Sequence, residues 1–209
     1  TMLNSNAFEK LKNEKYRDYA AELKDSPFKL SQEQKKSLKL MNKLSNKFRV
    51  HVLQGTTGSG KTIVYFKCIK SIIDKGLQGL IMLPEIGLTK QFEGKFRDFF
   101  GFNPAIWHSG ITKKNKKIIW NGILKGEIKV VIGARSSLFL PFKNLGLIIV
   151  DEEHDQSYKQ DEGVIYNARD MAISRASIEN IPIHLITSVP SLETYNNIKN
   201  KKYKKTEIK

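Results

Sequence analysis

Two rhythms of apolar residues divide this chain. From residue 49 onward, short aliphatic runs recur: "FRVHVLQ", "GLIMLP", "PAIWH", "KVVIG", "LGLIIVD" and "IHLIT". Each is rich in β-branched residues and too short for a helix, so each predicts a strand. Between most of them lie stretches with apolar residues every three or four positions, such as "GKTIVYFKCIKSIIDKG" and "GLTKQFEGKFRDFF", which predict helices. Near-continuous apolar strands alternating with helices predict an α/β fold, a parallel β-sheet sandwiched by helices. Ahead of residue 49 the pattern is helical. Residues 7–24 place Phe8, Leu11, Tyr19 and Leu23 at near-helical spacing, Pro27 breaks that run, and Ser31 with Gln34 forms a capping-box pattern for a second helix.

The 209 residues suit one ordinary α/β domain. The expected organisation is an amphipathic helix or linker over 1–26, the main unit over 27–200, and a basic tail or truncation point over 201–209, "KKYKKTEIK". Lys and Arg number 36 against 21 Asp and Glu, a formal charge of +15, which makes nucleic acid the first candidate partner. The single cysteine, Cys68, excludes a disulfide framework and a cysteine zinc site and fits a reducing compartment, so a cytoplasmic location is expected. No apolar run approaches the roughly 20 residues that cross a bilayer, so no membrane association is expected.

"GTTGSGKT", Gly55, Thr56, Thr57, Gly58, Ser59, Gly60, Lys61 and Thr62, matches G-x-x-x-x-G-K-[ST] directly after a predicted strand and at the start of a predicted helix. Glycines let the backbone wrap a phosphate chain with several N–H groups aimed inward at a helix N-terminus. Lys61 then reaches the outer phosphates, and the Thr62 hydroxyl is a Mg²⁺ ligand. Such a loop needs a carboxylate at the end of a second buried strand to hold the cation's hydration shell. "LIIVD" supplies it as Asp151, and Glu152 is placed to orient and deprotonate an attacking water. Phosphoryl transfer to a hydroxyl would not require that second acid; hydrolysis does. A zinc reading of Asp151, Glu152, Glu153 and His154 fails, because no H-E-x-x-H is present and only four histidines are scattered along the chain.

"DEEH" after a P-loop is the D-E-x-H form of motif II in superfamily 2 helicases. In order, "LPEIGLT" (83–89), "WHSG" (107–110), "IGARSSLFLPF" (132–142), "DEEHDQSYKQDEG" (151–163), "YNARDMA" (166–172) and "VPSLET" (189–194) closely resemble the first motor lobe of the primosomal replication-restart helicases of that superfamily. The resemblance covers about residues 30–198. It implies a RecA-like P-loop NTPase domain that uses ATP and Mg²⁺, acts on single-stranded and forked DNA, and works with other replication-restart proteins. Gln34 looks like the glutamine that reads the adenine edge, a role that stands beside its capping-box reading. Thr89, Arg135 and Ser136, in motifs Ia and Ib, are implied contacts to the DNA backbone. In the loop from Asp155 onward, Tyr158 is implied to stack on a base and Lys159 to meet a phosphate. His154 is expected to face motif III and report nucleotide state.

The chain departs from the family pattern in three places. An aromatic is usual near Val164 and a histidine near Asn167. Motif III reads Thr187-Ser188-Val189-Pro190, without the hydroxyl expected at Val189, and Thr187 or Ser188 is left to take its coupling role. A superfamily 2 motor also needs a second lobe to supply an arginine finger, whose loss costs on the order of 10³–10⁵ in rate. No motifs IV to VI follow motif III here. The expectation is a lobe that binds ATP–Mg²⁺ weakly and does not unwind DNA alone. Other readings are a different superfamily 2 helicase, or a module that binds nucleotide and DNA without hydrolysis.

Overall fold

The computed structural model describes residues 29–43, 47–87 and 89–209. The expected helix at 7–24, and with it the 1–26 segment, lies outside the described residues.

Seven parallel strands form the sheet, in the order β3-β4-β2-β5-β8-β1-β9. They are β1 (Arg49–Gly55), β2 (Gln78–Met82), β3 (Ala105–Trp107), β4 (Val130–Gly133), β5 (Leu145–Val150), β8 (Pro182–Thr187) and β9 (Lys204–Ile208). A two-stranded antiparallel hairpin, β6 (Lys159–Gln160) and β7 (Tyr166–Asn167), stands apart from it. The helices are α1 (Gln32–Lys43), α2 (Lys61–Asp74), α3 (Lys90–Phe100), α4 (Lys113–Lys125), α5 (Ala168–Ile178) and α6 (Leu192–Lys199). Every residue of β2, β4, β5 and β8 is buried, as expected for strands covered on both faces.

One face of the sheet lies under α1, α2 and α3. Its centre is Phe66, whose ring lies 5.3–5.8 Å from those of Phe92, Phe96, Phe99 and Phe100. Edge-to-face and tilted contacts of this kind add to the area each ring buries. The other face lies under α4 and α5. There Ala168, Ala172 and Ala176, one helical turn apart, let α5 sit close to Ile148, Ile183 and Leu185. His51 and His184 pair across β1 and β8 with rings edge to face at 5.5 Å. Burial lowers both pKa values, that of His51 to about 4, so both rings are neutral.

The Lys-rich end corrects the expected basic tail. Lys204–Ile208 is an edge strand paired with β1, with Thr206 Oγ1 3.1 Å from His51 Nε2 and Ile208 buried against Gly55. Lys204 and Lys205 stay exposed. Lysines on an outer strand are what an edge uses to discourage further pairing, and they hide the strand from a hydrophobicity reading.

Because all seven strands run parallel, the ends of β1, β2, β4, β5 and β8 open on one edge. Ligands bind at that edge in open α/β sheets.

Candidate functional site

The P-loop closes the end of β1. Gly58 and Gly60 hold φ of 87° and 81°, values a side chain resists, and Gly60 leads directly into α2. A Cβ on Gly60 would meet Gln34 Nε2 at 2.5 Å, so a side chain there would also displace the Gln34 amide from the loop. Lys61 is 8% exposed and donates from Nζ to the carbonyls of Gly55 (2.7 Å) and Thr56 (3.1 Å), which fixes its ammonium inside the loop. Gln34 carries out the capping-box role, since its Oε1 accepts from Ser31 N (2.9 Å) while Ser31 Oγ accepts from Gln34 N (3.2 Å). Its Nε2 also donates to Ser59 O at 2.9 Å, tying α1 to the loop.

Asp151 leaves β5 opposite this loop, with its N–H bonded to Met82 O at the end of β2. Its two carboxylate oxygens have separate donors: Oδ1 accepts from Glu152 N (3.0 Å) and Oδ2 from the Tyr65 hydroxyl (2.8 Å). Burial raises the Asp151 carboxyl to about 6, the Tyr65 hydrogen bond opposes that rise, and the charge of Glu152 adds to it. Tyr65 is completely buried, and burial followed by the charge of Asp151 pushes its own pKa well above 10, so it stays a donor. Tyr65 escaped the sequence reading, although it lies three residues after Thr62 and so on the same helical face. Glu152 adopts φ of 47°, a conformation uncommon outside glycine, and is 41% exposed at the cleft. A cavity of about 420 Å³ brings Lys61, Thr62, Asp151 and Glu152 together with Gly58 and Gly60, walled by Ile63, Phe66, Phe99, Lys95 and Asp98 from α2 and α3. Among the described residues no group of three or more His, Cys, Asp or Glu could hold a metal. The available donors are one hydroxyl and one carboxylate beside a phosphate-shaped loop. That set fits Mg²⁺, which takes few protein ligands and completes its shell with phosphate oxygens and water.

His154 Nδ1 lies 2.8 Å from Thr187 Oγ1 and 3.7 Å from Glu152 Oε2, as its expected position facing motif III requires. The Thr187 hydroxyl donates to Val189 O at 2.7 Å, so His154 Nδ1 must be the donor in their contact. Thr187 thus makes the contact between motif III and His154, and Val189 is 67% exposed. Ser188 accepts from Gln54 Nε2 through its carbonyl at 3.3 Å. Glu153, which had no role in the sequence reading, is buried among Arg169, Ser191 and Thr194.

The residues implied on the nucleic-acid side divide. Thr89 is exposed and caps α3, accepting from Phe92 N at 3.2 Å. Arg135 donates to Lys159 O at 2.7 Å, while Ser136 and the Lys159 side chain are exposed. Tyr158 is the correction. Its ring is 1% exposed, and its hydroxyl lies 2.6 Å from Asp151 O and 3.1 Å from Met82 O, within donating distance of both. A ring sealed beneath β2 and β5 cannot stack on a base, so Tyr158 supports the Asp151 backbone instead. The apolar surface offered by the hairpin is aliphatic, Val164 and Ile165, each 77% exposed.

The DEAD/DEAH box helicase family profile matches residues 31–197. The chain is 56% identical over 175 residues to the replication restart protein PriA of Rickettsia prowazekii, covering 84% of this chain and 26% of that protein. To the protein of the same name in Bacillus subtilis it is 38% identical over 191 residues, 90% of this chain and 24% of the other. It thus spans about a quarter of the length of these relatives. Among solved structures, RecG bound to a three-way DNA junction aligns with a TM-score of 0.66 at 25% identity, over 97% of this chain and 28% of RecG. A hypothetical ATP-dependent RNA helicase from Sulfolobus tokodaii shares the fold, with a TM-score of 0.61 at 20% identity over 87% of this chain and 54% of that one. With a P-loop, a D-E-x-H turn and a family match over most of its length, this chain belongs to the DEAD/DEAH box helicases.

Proposed function

We propose that this lobe binds ATP–Mg²⁺ in the cleft between the P-loop and Asp151, and that joined to a second helicase lobe it drives a cytoplasmic replication-restart DNA helicase. The observation that carries the reading is the convergence of Lys61, Thr62, Asp151 and Glu152 on one cavity at the carboxyl edge of the sheet. Residues 55–60 wrap the phosphates with backbone N–H groups, and Lys61 neutralises the outer ones. When bound, the cation polarises the phosphate oxygens and offsets their charge. Thr62 and Asp151 would hold it, with Tyr65 fixing the orientation of the Asp151 carboxylate. Glu152 positions the attacking water and takes its proton. Gln34 has one amide hydrogen and one carbonyl lone pair left after its protein contacts, the pair an adenine edge needs.

Thr89, Arg135, Ser136 and Lys159 form the DNA side, contacting phosphates of a single strand or fork without reading its sequence. The PriA relatives and RecG, solved on a DNA junction, support DNA as the track; other restart proteins are the partners this role calls for. The test is Glu152→Gln in the two-lobed protein. Turnover should fall by on the order of 10²–10⁴, as for loss of a general base, while fluorescent ATP binding persists. Unchanged turnover would remove Glu152 from the reaction.

A further inference from the structure

Glu153 and Arg169 are a buried ion pair that neither the nucleotide chemistry nor the DNA contacts use. The Glu153 side chain is 0% exposed and that of Arg169 7%. Glu153 Oε1 accepts from Ser191 N at 2.8 Å, and Oε2 accepts from Ser191 Oγ (3.1 Å), Thr194 Oγ1 (3.0 Å) and Arg169 Nη1 (3.2 Å). Arg169 also donates to Ser191 Oγ at 2.7 Å and to Asp170 Oδ1 at 2.8 Å.

Helix stabilisation accounts for only half of this arrangement. Ser191 Oγ caps α6 by accepting from Thr194 N, and Glu153 adds a bond to the Ser191 N–H at a helix end that favours an anion, but neither requires Arg169. Arg169 stands in the first turn of α5, where the helix dipole disfavours a cation. Burying both charges is costly unless every contact is made.

The pair does join three segments. Glu153 belongs to the turn that carries Asp151 and Glu152, and its N–H is pinned to Ile186 O at 3.0 Å. Arg169 follows β7 by two residues, and β7 pairs with β6, whose Lys159 carbonyl is held by Arg135. Ser191 follows motif III. One carboxylate therefore ties the 151–154 turn to both the hairpin base and the 187–191 segment.

We propose that Glu153 and Arg169 are positioning residues that make nucleotide binding at the P-loop cleft and single-stranded DNA binding at the 159–167 hairpin depend on each other. The inference rests on the nucleotide and DNA reading above. Its test is a linkage measurement on the full chain: Mg²⁺ with a fluorescent ATP analogue titrated with and without saturating oligo-dT, and the reverse. The wild-type chain should show each ligand changing the affinity of the other by the same factor, about fivefold or more.

In Glu153→Gln and Arg169→Lys each ligand alone should bind within about twofold to threefold of wild type, while the coupling factor falls below about twofold. Lysine keeps the charge but cannot bridge Glu153, Ser191 and Asp170 with one planar group, so this variant carries the test should Glu153→Gln fail to fold. Thr194→Val removes one donor to Glu153 and leaves the link to Arg169, so it should keep wild-type coupling. A folded Arg169→Lys or Glu153→Gln with wild-type coupling overturns the proposal, as does equal loss in Thr194→Val or a wild type without coupling. A wild-type chain that binds neither ligand overturns the reading beneath it as well.

Discussion

The turn at 151–154 and the hairpin tip at 161–165 are near neighbours in sequence and opposites in construction. In the turn, the Asp151 carboxylate, the Glu153 carboxylate, His154 Nδ1 and the Asp151 carbonyl all have protein partners within 3.2 Å. At the tip, Val164 and Ile165 are each 77% exposed, and Gln160 Nε2 holds the loop through the carbonyls of Glu162 and Val164. The difference matches the two jobs proposed for these segments. Phosphate chemistry needs groups held to a fraction of an ångström by buried strands. A surface that meets a flexible polymer of any sequence needs reach and adaptability instead. The rigid half is built into the sheet, and the half proposed to meet DNA is tied back through the Arg135 bond to the Lys159 carbonyl.

The largest test of that contrast is thermodynamic. Phe66→Ala empties the centre of the aromatic cluster beneath α2 and should cost about 3–5 kcal/mol of stability in urea unfolding. Val164→Ala and Ile165→Ala at the tip should stay within about 0.5 kcal/mol. A tip substitution as costly as the core one would mean that the hairpin is packed, and the contrast would fail. Next in size is Lys61→Ala. Its ammonium is the one full charge of an otherwise backbone-built cradle, and its removal should weaken triphosphate binding by about 1.5–3 kcal/mol, roughly 10- to 150-fold, in a fluorescence titration. Oligo-dT binding should change by less than about twofold, since the hairpin side is built from other residues.

Asp151 gives a pH-dependent version of the same argument. Its folded pKa of about 6 lies above the ordinary carboxylate value. A carboxyl raised in this way favours the fold at low pH, and that contribution is lost as pH rises through about 6, because the ionised form is the poorly solvated one. Without Mg²⁺, Asp151→Asn should therefore stabilise the chain by about 1 kcal/mol at pH 8 and not at pH 4, as the relieved desolvation exceeds one weakened hydrogen bond. The same substitution should abolish the Mg²⁺ dependence of nucleotide affinity, and wild-type affinity should fall as pH drops below about 6. A variant less stable than wild type at pH 8 would show that Tyr65 and Glu152 N fully compensate the buried charge.

How legible each region was follows from the same physics. Strands buried on both faces write themselves as continuous aliphatic runs, so "LGLIIV" and "IHLIT" were readable, and the P-loop is a local pattern whose geometry follows from its glycines. Tyr158 was misread because an aromatic between polar residues carries no periodicity. Its burial depends on two carbonyls, that of Met82 in β2 and that of Asp151 just beyond β5. Lys204–Ile208 looked like a tail because an edge strand exposes its lysines. Glu153 was silent because its partners, Arg169, Ser191 and Thr194, are 16, 38 and 41 residues away, and no short motif records a contact of that span. What the sequence hides is long-range polar pairing; what it shows is local backbone chemistry and apolar period.

The smallest effect expected bears on the departure that looked most damaging. A hydroxyl is missing at position 189, yet Thr187 Oγ1 already bridges His154 Nδ1 and Val189 O, so the contact from motif III to the motif II turn is made by a neighbour. The Val189 side chain is 67% exposed, and only its carbonyl takes part. Val189→Thr should therefore change stability by less than about 0.5 kcal/mol and leave the linkage between nucleotide and oligo-dT binding unaltered. Thr187→Val in the same assay is the informative opposite: it keeps the shape, removes the bridge, and leaves His154 Nδ1 with only the longer approach to Glu152. If restoring the hydroxyl at 189 strengthened coupling while Thr187→Val did nothing, the bridge would lie elsewhere, and the rigid half of the molecule would be less complete than its hydrogen bonds make it.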